Sequence, residues 1–125
     1  MNGSQRIEQA IRQSGEAGRT ALVSYITAGY PAMASFRSDL AKVASGSADV
    51  EGGVPFTDPL ADGVTIQRAS HAALESGVTL QWILDEIGAM NPAPSAPVVL
   101  MSYLNPLLAM GFGKLARQAC AAGVA

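Results

Sequence analysis

Two acidic residues, Glu51 and Asp62, lie in the stretch of the sequence that is richest in glycine, proline and aspartate. Glu51 follows the apolar Val50 and precedes two glycines, as expected at the end of a buried strand. A carboxyl group in such a place is costly to ionise, which suits it to exchange a proton with a substrate as a general acid or base. Residues 50–63 are therefore the candidate chemical centre of the chain.

Each acidic residue in this stretch also has a structural interpretation. Glu51 could be an inward charge satisfied by a structural partner, or a carboxylate at an exposed strand edge. Asp before Pro and Asp before Gly are common in turns, which applies to Asp58 and Asp62, and Asp62 could cap the helix that follows. From the residues alone, a turn role is favoured for both aspartates.

The elements around this stretch alternate between helices and short apolar strands. Apolar residues at helical spacing predict helices, and apolar runs closed by Gly or Pro predict buried strands. The predicted strands cover residues 20–27, 48–53 and 98–103. The predicted helices run from Ser4 to about Gly15, over 32–45, over 65–75, from a Thr79 cap onward, and over 106–121. This alternation is typical of an α/β protein with a parallel sheet, whose chemistry lies at the carboxyl ends of the strands.

Composition excludes several classes of protein. The chain has 125 residues, of which 49% are apolar and 14% charged, with a formal net charge of −2. It has no basic cluster, so neither nucleic acid nor an anionic membrane is an expected partner. No apolar run reaches the roughly 18 residues that a spanning helix needs. The lone Cys120 suggests a reducing cytoplasm and a small core residue, and His71 has no second metal ligand at a suitable spacing, so no metal is expected.

The residues around the two carboxylates resemble the signature of the tryptophan synthase alpha chain family. The match runs from Glu51 to Gly63 and continues through Thr65-Ile66-Gln67, with few free positions. Further matching segments follow in the same order at residues 21–31, 77–79, 100–106 and 122–124. The resemblance implies a partial (β/α)8 TIM barrel, in which residues 1–125 form a single incomplete domain: a leading helix and about three βα units.

The resemblance also implies a reaction, the cleavage of indole-3-glycerol phosphate to indole and glyceraldehyde 3-phosphate in tryptophan biosynthesis. In this retro-aldol step, Glu51 would handle the proton at indole C3. Asp62 would stabilise the charge at the indole nitrogen. Both roles agree with the chemistry, because C3 protonation needs a poised acid and a carboxylate binds the ring N–H more strongly as the ring becomes cationic. The residues expected to line the indole pocket are Tyr25, Leu100, Tyr103 and Thr27.

A partner follows from the same resemblance. It is the tryptophan synthase beta chain, which binds pyridoxal phosphate and receives indole through a tunnel in an alpha2-beta2 tetramer, while the alpha chain itself needs no cofactor. The residues expected to meet the beta chain lie in loop 55–62 and after the third strand, namely Pro55, Thr57, Asp58, Pro59 and Asn105.

Two departures from the family pattern bear on this expectation. Gly52 stands where the family has a bulky aliphatic residue, and the strand before Glu51 is one residue short, a change that can turn side chains to the other face of a sheet. We expect the missing residue to be compensated before the strand begins, because Glu51 keeps its spacing to Gly53 and Asp62.

A whole barrel needs about 250 residues and binds phosphate after strands seven and eight, so we expect impaired activity in these 125 residues.

Three functions remain open from the sequence. The first is the lyase, with Glu51 and Asp62 catalytic. The second is a non-catalytic fragment that only docks on the beta chain. The third is a different barrel enzyme that acts on a phosphate substrate.

Overall fold

Three strands form one parallel sheet with helices between them, as the sequence pattern predicts. The computed structural model describes all 125 residues. The elements are α1 (Gly3–Glu16), β1 (Val23–Thr27), a 3-10 turn (Met33–Ser35), α2 (Phe36–Ser45), β2 (Asp49–Gly53), α3 (Val64–Glu75), α4 (Leu80–Gly88), β3 (Val98–Met101), α5 (Leu104–Met110) and α6 (Phe112–Ala122). The strand order in the sheet is β1-β2-β3. The β2–α3 loop, residues 54–63, follows the central strand.

The first helix has a different cap from the predicted one, and the last predicted helix is divided in two. Asn2, and not Ser4, caps α1: its side chain accepts the Gln5 N–H at 2.9 Å, and the Gln5 side chain accepts the Asn2 N–H at 2.9 Å, which is a capping box. The single helix predicted over 106–121 is two helices, α5 and α6. Gly111 separates them with a φ of 86°, which a right-handed helix cannot include. The Thr79 cap of α4 is confirmed by a 3.1 Å bond from the Trp82 N–H.

Strand pairing fixes which residues share a face of the sheet. Tyr25 is level with Glu51, and Gly52 is level with Leu100. Side chains alternate along a strand, so Tyr25, Glu51 and Met101 share one face, and Leu100 lies on the other. Glu51 thus lies on the same face as Tyr25 despite the shorter strand.

The core lies between the sheet and the helices that cover its other face. Leu40 from α2, Ile83 from α4 and Val50 from β2 are its largest fully buried side chains. Trp82 is half-buried and packs on Phe36, with ring centroids 5.3 Å apart. Cys120 was expected in the core but is exposed. The buried side of α6 contains Leu115, Ala119 and Ala122, at the i, i+4, i+7 spacing, and Cys120 falls off that stripe.

The sheet face that contains Glu51 is only partly covered. Val23 and Met101 on this face are 45% and 52% exposed. At the outer edge of the sheet, the Ala125 N–H donates to the Val98 carbonyl at 2.8 Å, so the last residue of the chain is bonded to β3. None of the helices is both long enough and apolar enough to cross a bilayer.

Candidate functional site

Tyr25 and Gly53 define the floor of the site, at the carboxyl ends of β1 and β2. The Tyr25 ring occupies the space where a Gly53 side chain would be, and a Cβ atom there would collide with the hydroxyl oxygen. The hydroxyl lies 3.4 Å from Thr27 Oγ1. Burial raises the pKa of the Tyr25 hydroxyl, the Thr27 hydrogen bond opposes that rise, and the negative charges of Asp62 and Glu51 add to it. Tyr25 is therefore a neutral hydrogen-bond donor at ordinary pH.

A cavity of about 170 Å³ opens beside Tyr25. Its walls come from β1, from the β2–α3 loop and from the end of β3, so it lies at the edge of the sheet where parallel folds place their chemistry. The residues that line it are Tyr25, Val54, Ala61, Asp62, Met101, Ser102 and Tyr103. Three of the residues expected from the sequence, namely Tyr25, Asp62 and Tyr103, are brought together here.

Leu100, in contrast, does not line this cavity. It lies level with Gly52, and it packs against the hydrophobic core. Met101, the next residue, contributes to the cavity wall in its place. The difference is one residue of strand alternation, which turns a side chain from one face of the sheet to the other. The sequence alone does not indicate this, because residues 98–101 are a continuous apolar run that does not mark which face is buried.

Asp62 is held by Tyr103 and does not cap α3. The Tyr103 hydroxyl donates to Asp62 Oδ2 at 3.1 Å and accepts the Ala61 N–H at 2.8 Å. The N-cap of α3 is Gly63, with no side-chain hydrogen bond to the helix end. The backbone carbonyl of Asp62 accepts the Gln67 side-chain amide at 2.9 Å. The Asp62 carboxylate therefore lies in the cavity wall and is not used to cap the helix.

Glu51 lies in the middle of β2, half-buried and level with Tyr25. The ion pairs of the chain lie elsewhere, at Arg12–Glu8 and Arg37–Glu86. The carboxylate also makes none of the side-chain hydrogen bonds of the structure. A structural partner, one of the alternatives for this residue, is therefore not found. The central, paired position of β2 also removes the exposed-edge alternative.

The positions expected to meet a partner chain are unequally accessible. Thr57, Asp58 and Asn105 are exposed and Pro59 is half-buried, whereas Pro55 is buried. Leu60, which the sequence analysis did not select, is 89% exposed at the tip of the β2–α3 loop. His71 is exposed on α3, as expected. No group of three or more His, Cys, Asp or Glu side chains is arranged to hold a metal ion.

Sequence comparison identifies the relatives of the chain. A family model described as tryptophan synthase alpha chain matches residues 11–125. The tryptophan synthase alpha chain of Nitratidesulfovibrio vulgaris (strain DP4) is 46% identical over 121 residues, covering 96% of this chain and 47% of that protein. That of Laribacter hongkongensis (strain HLHK9) is 47% identical over 121 residues, covering 95% and 46%. This chain therefore spans about half the length of the relatives that it matches.

Solved structures agree with the sequence matches and identify the barrel to which the three βα units belong. Tryptophan synthase from M. tuberculosis, in its aminoacrylate-bound form, superposes with a TM-score of 0.86 at 36% identity, over 95% of this chain and 49% of that chain. The alpha subunit from Legionella pneumophila str. Paris gives a TM-score of 0.87 at 35% identity, over 95% and 46%. These neighbours are (β/α)8 barrels, and the partial barrel expected from the sequence is confirmed. The chain belongs to the tryptophan synthase alpha chain family.

Proposed function

We propose that this chain contributes the two catalytic carboxylates of a tryptophan synthase alpha chain, which cleaves indole-3-glycerol phosphate to indole and glyceraldehyde 3-phosphate. The observation that carries the proposal is the cavity at the carboxyl ends of the strands, with Asp62 in its wall and Glu51 on the same sheet face as Tyr25. Residues 1–125 would then be one incomplete barrel domain, acting in tryptophan biosynthesis in the cytoplasm.

In the proposed reaction, Glu51 delivers a proton to indole C3. The bond between C3 and the glycerol side chain then breaks, and its electrons return to the indole ring. The neighbouring hydroxyl gives its proton to the Glu51 carboxylate as the aldehyde forms, which restores the acid. Positive charge develops on the indole nitrogen after C3 is protonated. A carboxylate placed at the ring N–H stabilises that charge, which is the proposed role of Asp62.

Tyr25, Met101 and Tyr103 would surround the indole ring, with Thr27 supporting the Tyr25 hydroxyl. Tyrosine and methionine provide large apolar surfaces for a planar aromatic ligand. The cavity of about 170 Å³ has room for a bicyclic ring. Barrels of this kind bind phosphate through loops after strands seven and eight. We therefore propose reduced activity when these 125 residues act alone.

We further propose that the chain assembles with a tryptophan synthase beta chain in an alpha2-beta2 tetramer, and that pyridoxal phosphate belongs to the beta chain and not to this one. Leu60 is an apolar side chain that is 89% exposed at the loop tip, so it is available to be buried by this partner. Thr57, Asp58, Pro59 and Asn105 would lie around it. Pro55 would support the loop from inside, since it is buried.

The exposed loop also gives weight to a second function, docking on the beta chain without catalysis. The two functions differ in one assay, the cleavage of indole-3-glycerol phosphate by this chain with and without the beta chain. Activity that is lost in Glu51→Gln and kept in Glu16→Gln, a matched change at the exposed end of α1, would support the lyase. Binding of the beta chain without cleavage would support docking alone. A fully active Glu51→Gln variant would contradict the assignment of the acid.

A further inference from the structure

The Tyr103 side chain connects the end of β3 to both ends of the β2–α3 loop. Its ring stacks on Phe56, near the start of the loop, with centroids 5.3 Å apart and planes inclined by 30°. Its hydroxyl accepts the Ala61 N–H at 2.8 Å, near the end of the loop. The same hydroxyl donates to Asp62 Oδ2 at 3.1 Å. One side chain therefore contacts the loop at three residues.

The loop has few other contacts that could fix the Asp62 side chain. Its internal backbone hydrogen bonds are Leu60 N–H to Asp58 O at 2.8 Å and Asp62 N–H to Pro59 O at 3.1 Å. Gln67 binds the loop through the carbonyls of Pro59 and Asp62, which fixes the main chain but not the carboxylate. The hydrogen bond from Tyr103 is the only one that the Asp62 carboxylate accepts in the structure.

That single bond divides the carboxylate into two unlike oxygens. Oδ2 is occupied by the Tyr103 hydroxyl, whereas Oδ1 has no hydrogen-bond partner. A carboxylate with one oxygen fixed keeps a defined orientation, and its second oxygen can accept a donor from a ligand in the cavity. Hydrogen bonds to an ionised group are strong enough to impose such an orientation.

We propose that Tyr103 is a positioning residue, which acts through Asp62: its hydroxyl orients the carboxylate so that Oδ1 accepts the ring N–H of an aromatic heterocycle. The inference rests on the proposed function for the identity of the ligand, but not for the Tyr103–Asp62 bond itself. It assigns to Tyr103 more than the lining of an apolar pocket. It also accounts for the second hydrogen bond of the Tyr103 hydroxyl, which accepts the Ala61 N–H beside the same carboxylate.

The test compares Tyr103→Phe with Tyr30→Phe in the 125-residue chain labelled with ¹³C at the aspartate carboxyl carbons. Tyr103→Phe keeps the ring that stacks on Phe56 and removes only the hydroxyl. Tyr30 is an exposed tyrosine outside the cavity, and serves as the matched control. The Asp62 resonance is assigned by its loss in Asp62→Asn, and Trp82 fluorescence verifies that each variant is folded. We expect Tyr103→Phe to shift the Asp62 carboxyl resonance and to leave that of Asp49 in place. An unchanged Asp62 resonance would overturn the proposal.

Indole titration provides the second readout, which a purely structural role would not move. We expect indole to bind Tyr103→Phe about tenfold more weakly than the unmodified chain, as for loss of a hydrogen bond to a charged group. In the Asp62→Asn background, the same Tyr103→Phe change should have little effect, because the group through which it acts has lost its charge. Equal weakening in both backgrounds would overturn positioning through Asp62. Failure of the unmodified chain to bind indole would count against the proposed function, and the carboxyl resonance would still decide the role of Tyr103.

Discussion

The Tyr25 hydroxyl lies where a Gly53 side chain would begin. The neighbouring strands leave no room there for one additional carbon atom. The position of Tyr25 in the cavity therefore depends on the residue type of its neighbour. Gly52, the adjacent glycine, differs: a Cβ there would lie 3.6 Å from Leu100 Cδ2 and 3.7 Å from the Val99 carbonyl oxygen, which are ordinary contacts. Two neighbouring glycines thus have opposite tolerance for a methyl group.

Gly53→Ala should consequently destabilise the chain and disturb the cavity, whereas Gly52→Ala should not. Overpacking of this kind costs about 1–3 kcal/mol. Removing a glycine from a strand interior without a clash gains about 0.5–1 kcal/mol. Urea unfolding of the two variants measures both effects. Equal stability of the two variants would show that Tyr25 can move aside without cost.

Leu100→Ala and Met101→Ala should separate stability from ligand binding. Leu100 packs on the core, and its truncation should cost about 2–4 kcal/mol in the free energy of unfolding. The affinity of the folded molecules for indole should change little. Met101 is 52% exposed and lines the cavity, so its truncation should cost less than about 1 kcal/mol and weaken indole binding. Denaturation and indole titration of each variant make the comparison. The reverse pattern would mean that Leu100 reaches the ligand.

Asp49 should make the folded state less stable as the pH rises. This residue is 6% exposed, and burial raises the pKa of its carboxyl group, opposed by the hydrogen bond from the Val50 N–H. A folded-state pKa above the unfolded value means that the proton binds more tightly to the folded chain. Its contribution is then fully present below the unfolded value of about 3.9 and is lost as the pH rises through the folded value.

Asp49→Asn should therefore raise the Tm at pH 7 and have a smaller effect near pH 3. Thermal unfolding across that range checks the prediction. Asp85→Asn is a suitable control, because Asp85 is an exposed carboxylate that also accepts a hydrogen bond, from Gln81 at 2.9 Å. An equal gain in both variants would point to net charge and not to burial.

Leu60→Ser should weaken binding of the beta chain without lowering the stability of this chain. Because Leu60 is 89% exposed, it contributes almost no burial to the folded chain. Loss of an apolar contact at the centre of an interface should lower the affinity about fivefold or more. Calorimetric titration with the beta chain measures the change. Leu22→Ser, at another exposed leucine far from the loop, should bind normally, and a normal affinity for Leu60→Ser would place the interface elsewhere.

Local patterns in the sequence were sufficient for the parallel sheet and for the position of the loop, since both follow from apolar periodicity and from glycine and proline. The Asn2 cap was also readable, because Asn at the cap with Gln three residues later is a capping-box pattern. The break between α5 and α6 at Gly111 was not predicted, because apolar residues continue on both sides of it. It is seen only in the backbone angle of Gly111.

The composition of the cavity depends on information that a local pattern does not contain. The resemblance to the family indicated Leu100 and not Met101. The face on which each side chain lies is set by the pairing of this short strand with β2. The bond between Tyr103 and Asp62 joins residues 41 positions apart and depends on the path of the β2–α3 loop. The resemblance to a family identified both residues but not the contact between them.

The order of the strands in the sheet is the same as their order along the chain. Within this sheet, each strand therefore adds to a neighbour that has already been synthesised. Such sequential pairing keeps the contact order low for a parallel sheet and permits folding from the amino terminus while the ribosome is still adding residues. On this order of assembly, Tyr25 and Gly53 meet first, and the Tyr103 side chain reaches the loop only when the third strand has formed.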